Sequence, residues 1–296
     1  MEVIKAKVLG FCMGVRRAVD IAVEEAKACA QENSRRVYSL GPLIHNPKVL
    51  ADLEKLGIQS MDGGSFSANG SSCAVIIRAH GVSPAAEQKL RGKGCRIIDA
   101  TCPKVKANQL KTQELSRAGF HLFLAGEAEH AEIEGLLGYS ADAPYCAVTG
   151  GADEAREKAA QLFEKNKNAK TALVGQTTIS EEEYKKTAEE IKKYFPGLQI
   201  IETICAAAGE RQNALRELLL ETDAVIIAGG SESANTRRLL AIARQSGKPC
   251  VLAESAEQIP AFFSAYEKVG LCAGASAPDS VIDEIERELK RISHFA

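Results

Sequence analysis

Strand-like apolar runs alternate with helical runs almost from end to end of this 296-residue chain, and that alternation leaves few folds open. The strand-like runs are Val3–Phe11, Arg36–Leu40, Ala74–Ile77, Arg96–Ile98, His121–Leu124, Cys146–Val148, Thr171–Val174, Leu198–Ile204, Ala224–Ile227, Pro249–Leu252 and Val269–Ala273. Between them the spacing predicts helices at Val15–Gln31, Lys48–Leu56, Pro84–Lys93, Val105–Arg117, around Leu136-Leu137, and at Asp153–Asn166, Ser180–Tyr194, Arg211–Thr222, Arg237–Gln245 and Asp279–Arg291. Repeated strand–helix units of this length argue for α/β structure, parallel sheets covered by helices on both faces. A Gly/Ser/Asn-rich loop is read at Asp62–Ser72, and longer loops at Ala125–Glu134 and Ala228–Thr236.

Three cysteines divide the chain at intervals of about a third: Cys12, Cys102 and Cys205. Each is read at a turn where a strand stops and a helix begins. Cys102 shows the logic in the run Asp99-Ala100-Thr101-Cys102-Pro103-Lys104-Val105. Pro103 suits a first helical position, where a backbone N–H would have no partner anyway. The cysteine then sits at the positive end of the helix dipole, which favours a thiolate. The expected organisation is three α/β lobes, at 1–100 with Cys12, 101–203 with Cys102 and 204–296 with Cys205, in a pseudo-threefold arrangement around one point.

Nine cysteines are many for such a chain. Cys73, Cys95, Cys146, Cys250 and Cys272 lie at the starts of, or within, strand-like runs, and Cys29 lies in a helical pattern. These six are read as small packing residues. With 45% hydrophobic and 26% charged residues and a net charge of −2, no global field recruits nucleic acid or an anionic membrane. No apolar run reaches the roughly 18 residues that span a bilayer, and no export signal is evident at the start. The expectation is a cytoplasmic enzyme acting on a small molecule.

Ligands of parallel α/β sheets gather beyond the carboxyl ends of the strands. His45, His80, His130, Glu132, Thr177, Thr178, Ser231, Ser233, Asn235, Ser276 and the three turn cysteines all fall there. Cys73, Cys95, His121, Cys146 and Cys250 fall at amino ends, and His121 and His294 are read as structural or exposed. Three thiolates from three lobes suit one metal centre. Zinc takes three protein ligands plus water, but no Cys-x-x-Cys pair supplies a local chelate. An iron–sulfur cluster spans distant cysteines, and three ligands would leave one iron open. The plainer alternative is three core cysteines that fall at turns by coincidence.

The segment Gly126–Gly135 carries His130 among Glu127, Glu129, Glu132 and Glu134. A buried carboxyl there becomes a proton donor if its pKa rises; otherwise the four glutamates form a solvated rim. Gln176-Thr177-Thr178, Gly229–Thr236 and Gly274–Pro278 are hydroxyl-rich turns before helices, where free N–H groups favour a phosphate or diphosphate. Neither a Gly-x-Gly-x-x-Gly turn after a strand nor a phosphate-loop signature is present, so electrons for any redox step come from a separate protein.

Gly10-Phe11-Cys12-Met13-Gly14-Val15-Arg16-Arg17-Ala18, His45-Asn46, Arg78-Ala79-His80-Gly81-Val82, Asp99–Pro103, Gln176-Thr177-Thr178 and Gly274–Pro278 occur in this order over nearly the whole chain. Together they resemble the 4-hydroxy-3-methylbut-2-enyl diphosphate reductase family. The resemblance implies one [4Fe–4S] cluster held by Cys12, Cys102 and Cys205 with one iron open to substrate, and an external donor such as ferredoxin or flavodoxin. It implies Glu132 as the proton source, with His130 and Thr177 beside it in the catalytic set. His45, His80, His130, Thr177, Thr178, Ser233, Ala234, Asn235 and Ser276 would hold the allylic diphosphate. The implied reaction is a two-electron removal of the allylic hydroxyl that gives isopentenyl and dimethylallyl diphosphate.

Three positions depart from the family pattern. Ala131 stands where proline is usual, Ala234 where a second serine is usual, and Ala206-Ala207-Ala208 follow the third cysteine where threonine is usual. They leave open a related iron–sulfur reductase with a different allylic substrate. A non-catalytic metal-binding protein is the alternative from another class.

Overall fold

The computed structural model describes residues 1–32, 36–61 and 73–293. It contains three parallel four-stranded sheets. One holds β2 (Arg36–Leu40), β3 (Ile58–Met61), β4 (Cys73–Ile77) and β5 (Arg96–Asp99) in the order β3-β2-β4-β5. A second holds β6 (His121–Ala125), β7 (Cys146–Thr149), β8 (Thr171–Gly175) and β9 (Gln199–Ile200) in the order β7-β6-β8-β9. The third holds β10 (Ala224–Ala228), β11 (Cys250–Ala253), β12 (Lys268–Ala273) and β1 (Glu2–Lys5) in the order β1-β12-β10-β11.

All three follow one rule. If the strands are counted in the first two sheets as they occur, and in the third from β10 with β1 as the last, the spatial order is second, first, third, fourth each time. The chain is therefore a threefold repeat whose final strand is supplied by its own beginning. This alters the expected division into 1–100, 101–203 and 204–296: β1 pairs with β12, Val3 opposite Val269, in the sheet of the last segment. Pairing between residues so far apart leaves no mark in local periodicity.

The central strands β4, β8 and β10 are buried along their whole length, as parallel strands covered on both faces must be. The covering helices are α1 (Met13–Glu32), α2 (Pro47–Lys55), α3 (Pro84–Gly92), α4 (Pro103–Arg117), α5 (Ala131–Tyr139), α6 (Ala152–Lys165), α7 (Glu181–Lys192), α8 (Ala206–Glu221), α9 (Ala234–Gln245) and α10 (Asp279–Ser293). Their starts are chemically marked. Asn46, Ser83, Ser180 and Ser233 each accept a backbone N–H as N-caps, and proline follows the first two. Each such cap contributes about 1 kcal/mol.

Contacts divide the chain into two compact units. One comprises Met1–Asp20, Pro42–Gly57 and Ala206–Ala296; the other comprises Ile21–Gly41 and Ile58–Cys205. In the first, Ile226, Leu271, Val281, Ile285 and Phe263 form the core on one face of the β10 sheet, and Leu215, Leu218, Val225, Ile227 and Leu239 form it on the other. In the second, Phe123, Leu173, Tyr184 and Ile191 pack together on one face of the β6–β9 sheet, with Leu122, Leu124, Ile133, Leu136 and Val174 on the other. Leu173 is fully buried in the centre of its cluster. Leu173→Ala should lower the free energy of unfolding by about 2–5 kcal/mol, read as a reduced denaturation midpoint in urea.

Several boundaries differ from the sequence expectation. The runs Val3–Phe11 and Leu198–Ile204 hold only short strands, β1 and β9. β3 was not expected, because an edge strand with exposed Gln59 and Ser60 carries almost no apolar signal. α5 and α9 begin at Ala131 and Ala234, inside stretches read as loop, so Glu132 and Asn235 lie in first helical turns. Two short 3₁₀ turns, Ala256–Gln258 and Ala261–Ala265, connect β11 to β12. The expected loop at 62–72 and His294 lie outside the described residues. No helix among the described residues is long and apolar enough to cross a membrane.

Candidate active site

The repeat explains how the candidate residues are distributed. In each sheet the first and third strands are neighbours at which the strand order reverses, the position where such folds bind ligands. His45 follows β2, and His80 follows β4. His130 and Glu132 follow β6, and Thr177 follows β8. Ser233 and Asn235 follow β10, and Ser276 follows β12. Each fourth strand is followed by one of the three cysteines: β1 by Cys12, β5 by Cys102 and β9 by Cys205.

All three cysteines immediately precede a helix. Met13 opens α1, Pro103 opens α4 and Ala206 opens α8. Each is partly exposed. The Cys12 sulfur accepts the Val15 N–H at 3.4 Å. Cys102 is itself the cap residue of α4, and its N–H donates to the Ala79 carbonyl at 2.9 Å. Asp99 sets the turn before it by accepting the Thr101 N–H at 2.9 Å. The Cys205 N–H donates to the Thr177 carbonyl at 2.9 Å. Among the remaining cysteines, burial pushes up the thiols of Cys146, Cys250 and Cys95, and that of Cys272 to about 12, which lowers the share of reactive thiolate.

Among the described residues no set of three or more His, Cys, Asp or Glu side chains is gathered around the position of a single metal ion. Partly exposed cysteines, each placed immediately before a helix, are the donor chemistry that an iron–sulfur cluster takes.

Four of the candidate residues form one connected group in the unit that contains β6 and β8. Glu132 is 1% exposed. Its carboxylate accepts the Thr177 N–H at 2.9 Å on Oε1 and the Thr177 hydroxyl at 2.8 Å on Oε2. Burial is the largest influence and raises its pKa to about 7, despite the two hydrogen bonds that favour the charged form. The carboxyl therefore holds its proton close to neutral pH, as a general acid must. This decides between the two sequence readings: Glu132 is a buried acid and not part of a solvated rim. Glu127 and Glu129 are exposed, as is Glu134.

His130 caps α5, its Nδ1 accepting the Glu132 N–H at 3.2 Å. With Nδ1 as acceptor, the neutral ring carries its proton on Nε2. The His80 ring meets it edge to face, with centroids 5.2 Å apart. Ala131 occupies the first helical position, where proline fits without losing a hydrogen bond. The His130 cap therefore holds this turn independently of what stands at 131. The Thr178 hydroxyl accepts from the Gln176 amide at 2.8 Å, while Gln176 Oε1 accepts the Glu127 N–H at 3.0 Å. Gln176 thus ties the turn after β8 to the turn after β6.

A second group lies in the other unit. Ser276 Oγ donates to the His45 carbonyl at 3.1 Å. Gly230 packs on the same carbonyl, which a Cβ there would meet at 2.3 Å, so only glycine permits this approach. Ser233 caps α9, and Ala234 is its first helical residue, so Ala234 offers a backbone N–H that has no intrahelical acceptor. Asn235 and Thr236 are buried in the first turn of α9, and neither Asn235 Nδ2 nor Thr236 Oγ1 has a hydrogen-bond partner among the described residues. Buried unpaired polar atoms beside a helix N-terminus fit an oxygen-rich anion.

Two residues of this machinery were not found from the sequence. Arg211 on α8 is 3% exposed and donates to the Gly10 carbonyl at 2.8 Å, holding the turn that presents Cys12. Gln109 on α4 is fully buried against Gly81, whose φ is +71° and whose added Cβ would meet Nε2 at 2.3 Å, and against Gly135. The available signal was the polar stripe Asn108, Gln109, Thr112 and Ser116 on the buried face of α4. Apolar periodicity does not register it.

A family model described as LytB protein matches residues 3–290. The chain is 40% identical over 293 residues to the 4-hydroxy-3-methylbut-2-enyl diphosphate reductase of Treponema denticola, covering 98% of this chain and 99% of that one. It is 38% identical to the enzyme of the same name from Aquifex aeolicus, covering 99% and 97%. Among solved structures it resembles (E)-4-hydroxy-3-methyl-but-2-enyl diphosphate reductase, described as the terminal enzyme of the non-mevalonate pathway. That match has a TM-score of 0.69, 37% identity, and coverage of 98% of this chain and 100% of that chain. It also resembles E-1-hydroxy-2-methyl-but-2-enyl-4-diphosphate reductase from Plasmodium falciparum, with a TM-score of 0.86, 25% identity, and coverage of 97% and 87%.

Proposed function

This chain belongs to the LytB protein family, an oxidoreductase family of the non-mevalonate pathway, and on that premise we propose that it removes the allylic hydroxyl of 4-hydroxy-3-methylbut-2-enyl diphosphate. The substrate takes up two electrons and two protons, the C–O bond breaks, and water leaves. The products are isopentenyl and dimethylallyl diphosphate, according to which carbon of the allylic system receives the second proton.

The observation that carries this reading is Glu132, a buried carboxyl with a pKa of about 7 held by both polar groups of Thr177. Hydroxide is a poor leaving group, and protonation as the bond breaks turns it into water. Thr177 fixes the direction of the acid, and His130, the cap of the same helix, stands beside it. Cys12, Cys102 and Cys205 would hold a [4Fe–4S] cluster with one iron lacking a protein ligand; when bound it supplies the electrons and a Lewis acid for the hydroxyl oxygen. The partial exposure of these cysteines, each immediately before a helix, supports that assignment.

His45, His80, Thr178, Ser233, Ala234, Asn235 and Ser276 are assigned to the diphosphate and substrate. Neutral donors and helix ends do most of this work. Electrons reach the site from a separate protein of the ferredoxin or flavodoxin kind. The test is anaerobic turnover of the allylic diphosphate with chemically reduced methyl viologen. Viologen oxidation matched by formation of the two C5 diphosphates supports the assignment. Viologen oxidation seen only with another allylic alcohol would overturn it.

A further inference from the structure

Cys73 opens β4, and Cys95 stands immediately before β5. These strands pair in parallel with Ala74 opposite Arg96, which sets the two cysteines side by side at the amino ends. Their sulfurs are 3.1 Å apart. A disulfide bond is about 2.05 Å long, so closure needs a movement of only about 1 Å. They sit in an apolar cluster with Leu40, Val75 and Leu90. The candidate active-site residues follow the opposite ends of the same strands, so the catalytic assignment does not use this pair.

We propose that Cys73 and Cys95 form a dithiol site that closes to a reversible disulfide when a low-molecular-weight disulfide such as oxidised glutathione accumulates. Cys95, 8% exposed against 1% for Cys73, is the sulfur a small oxidant reaches first. Its thiolate attacks one sulfur of glutathione disulfide, that S–S bond breaks, and one glutathione leaves. Cys73 then attacks the Cys95 sulfur, the new Sγ–Sγ bond forms, and the second glutathione leaves. The protein gives up two electrons and two protons, and the two glutathione thiols gain them.

Burial holds the Cys95 thiol well above its ordinary pKa; the hydrogen bond with Cys73 acts the same way, and Lys93 opposes them only in part. Few molecules carry the reactive thiolate at neutral pH, so exchange is slow. The site answers to a sustained redox poise and ignores brief exposure, in keeping with the regulatory character of disulfides in reducing compartments.

The experiment equilibrates the anaerobically purified full chain with excess oxidised glutathione, alkylates the remaining thiols under denaturing conditions, and maps the digested peptides by mass. The expected product joins the Cys73 and Cys95 peptides, two hydrogens lighter than their sum, and dithiothreitol separates them. Cys73→Ser should accumulate a glutathione adduct on Cys95, whereas Cys95→Ser should leave Cys73 unmodified. The linked chain closes a loop across 22 residues, and its Tm should rise by roughly 5–10 °C, with no rise in Cys95→Ser. Separate, fully alkylated Cys73 and Cys95 peptides after equilibration would overturn the proposal. So would linkage of either residue to a different cysteine. The wild-type peptide map decides the matter even if a variant fails to fold.

Discussion

Glu132→Gln lowers kcat by about 10²–10⁴-fold with little change in KM, because a positioned general acid contributes about that much to proton transfer. The substitution keeps an oxygen for the Thr177 N–H and a polar atom for the Thr177 hydroxyl, the two contacts that hold the native carboxyl at 2.9 and 2.8 Å. The pH profile separates a chemical from a structural role. With a pKa of about 7, the wild-type kcat/KM should fall as pH rises through neutrality, and the glutamine variant should lack that limb. Stability follows pH in the same direction. A carboxyl whose folded pKa is raised from 4.5 to about 7 contributes fully below pH 4.5 and loses its contribution as pH rises through 7. The loss is roughly 3 kcal/mol. Glu132→Gln should therefore match the wild type in acid and exceed its unfolding free energy at pH 8. A variant with unchanged turnover would assign the proton to another group.

Cys102→Ser is the second large effect. The serine retains the backbone that caps α4 and the N–H that donates to the Ala79 carbonyl at 2.9 Å, so the fold survives while a thiolate donor is lost. Iron content should fall, and activity should drop by more than the about 10–100-fold cost of removing an outer-shell partner of a metal site. Cys250→Ser is the matching control. That cysteine opens β11 at the amino end of its sheet, and burial raises its thiol pKa; iron content there should not change. Full iron and activity in Cys102→Ser would exclude it as a ligand.

The strands and the loops that carry chemistry were legible because parallel strands buried on both faces read as unbroken apolar runs, Ala74–Ile77 and Ala224–Ile227 among them. Once the carboxyl ends were marked, the histidines, Glu132, Thr177 and the hydroxyl-rich turns sorted themselves onto the ligand side. Without the family resemblance, choosing Glu132 among four nearby glutamates needs the fold. Its burial depends on Thr177, 45 residues later in the chain, and local sequence carries no record of that contact. The starts of α5 and α9 were hidden for a local reason. A histidine cap before Ala131 and a small-residue run around Ser233 both resemble loop. The place of β1 in the sheet of the last segment escaped because its partner lies at Lys268–Leu271, and Arg211 and Gln109 escaped because they are polar residues on buried faces.

Iron and acid-labile sulfide analysis of the anaerobically purified chain tests the central claim most directly. A [4Fe–4S] cluster gripped by Cys12, Cys102 and Cys205 requires about four irons and four sulfides per chain, with both falling in each of the three cysteine variants. Stoichiometric zinc without sulfide, or iron and sulfide that persist when all three cysteines are replaced, would contradict it.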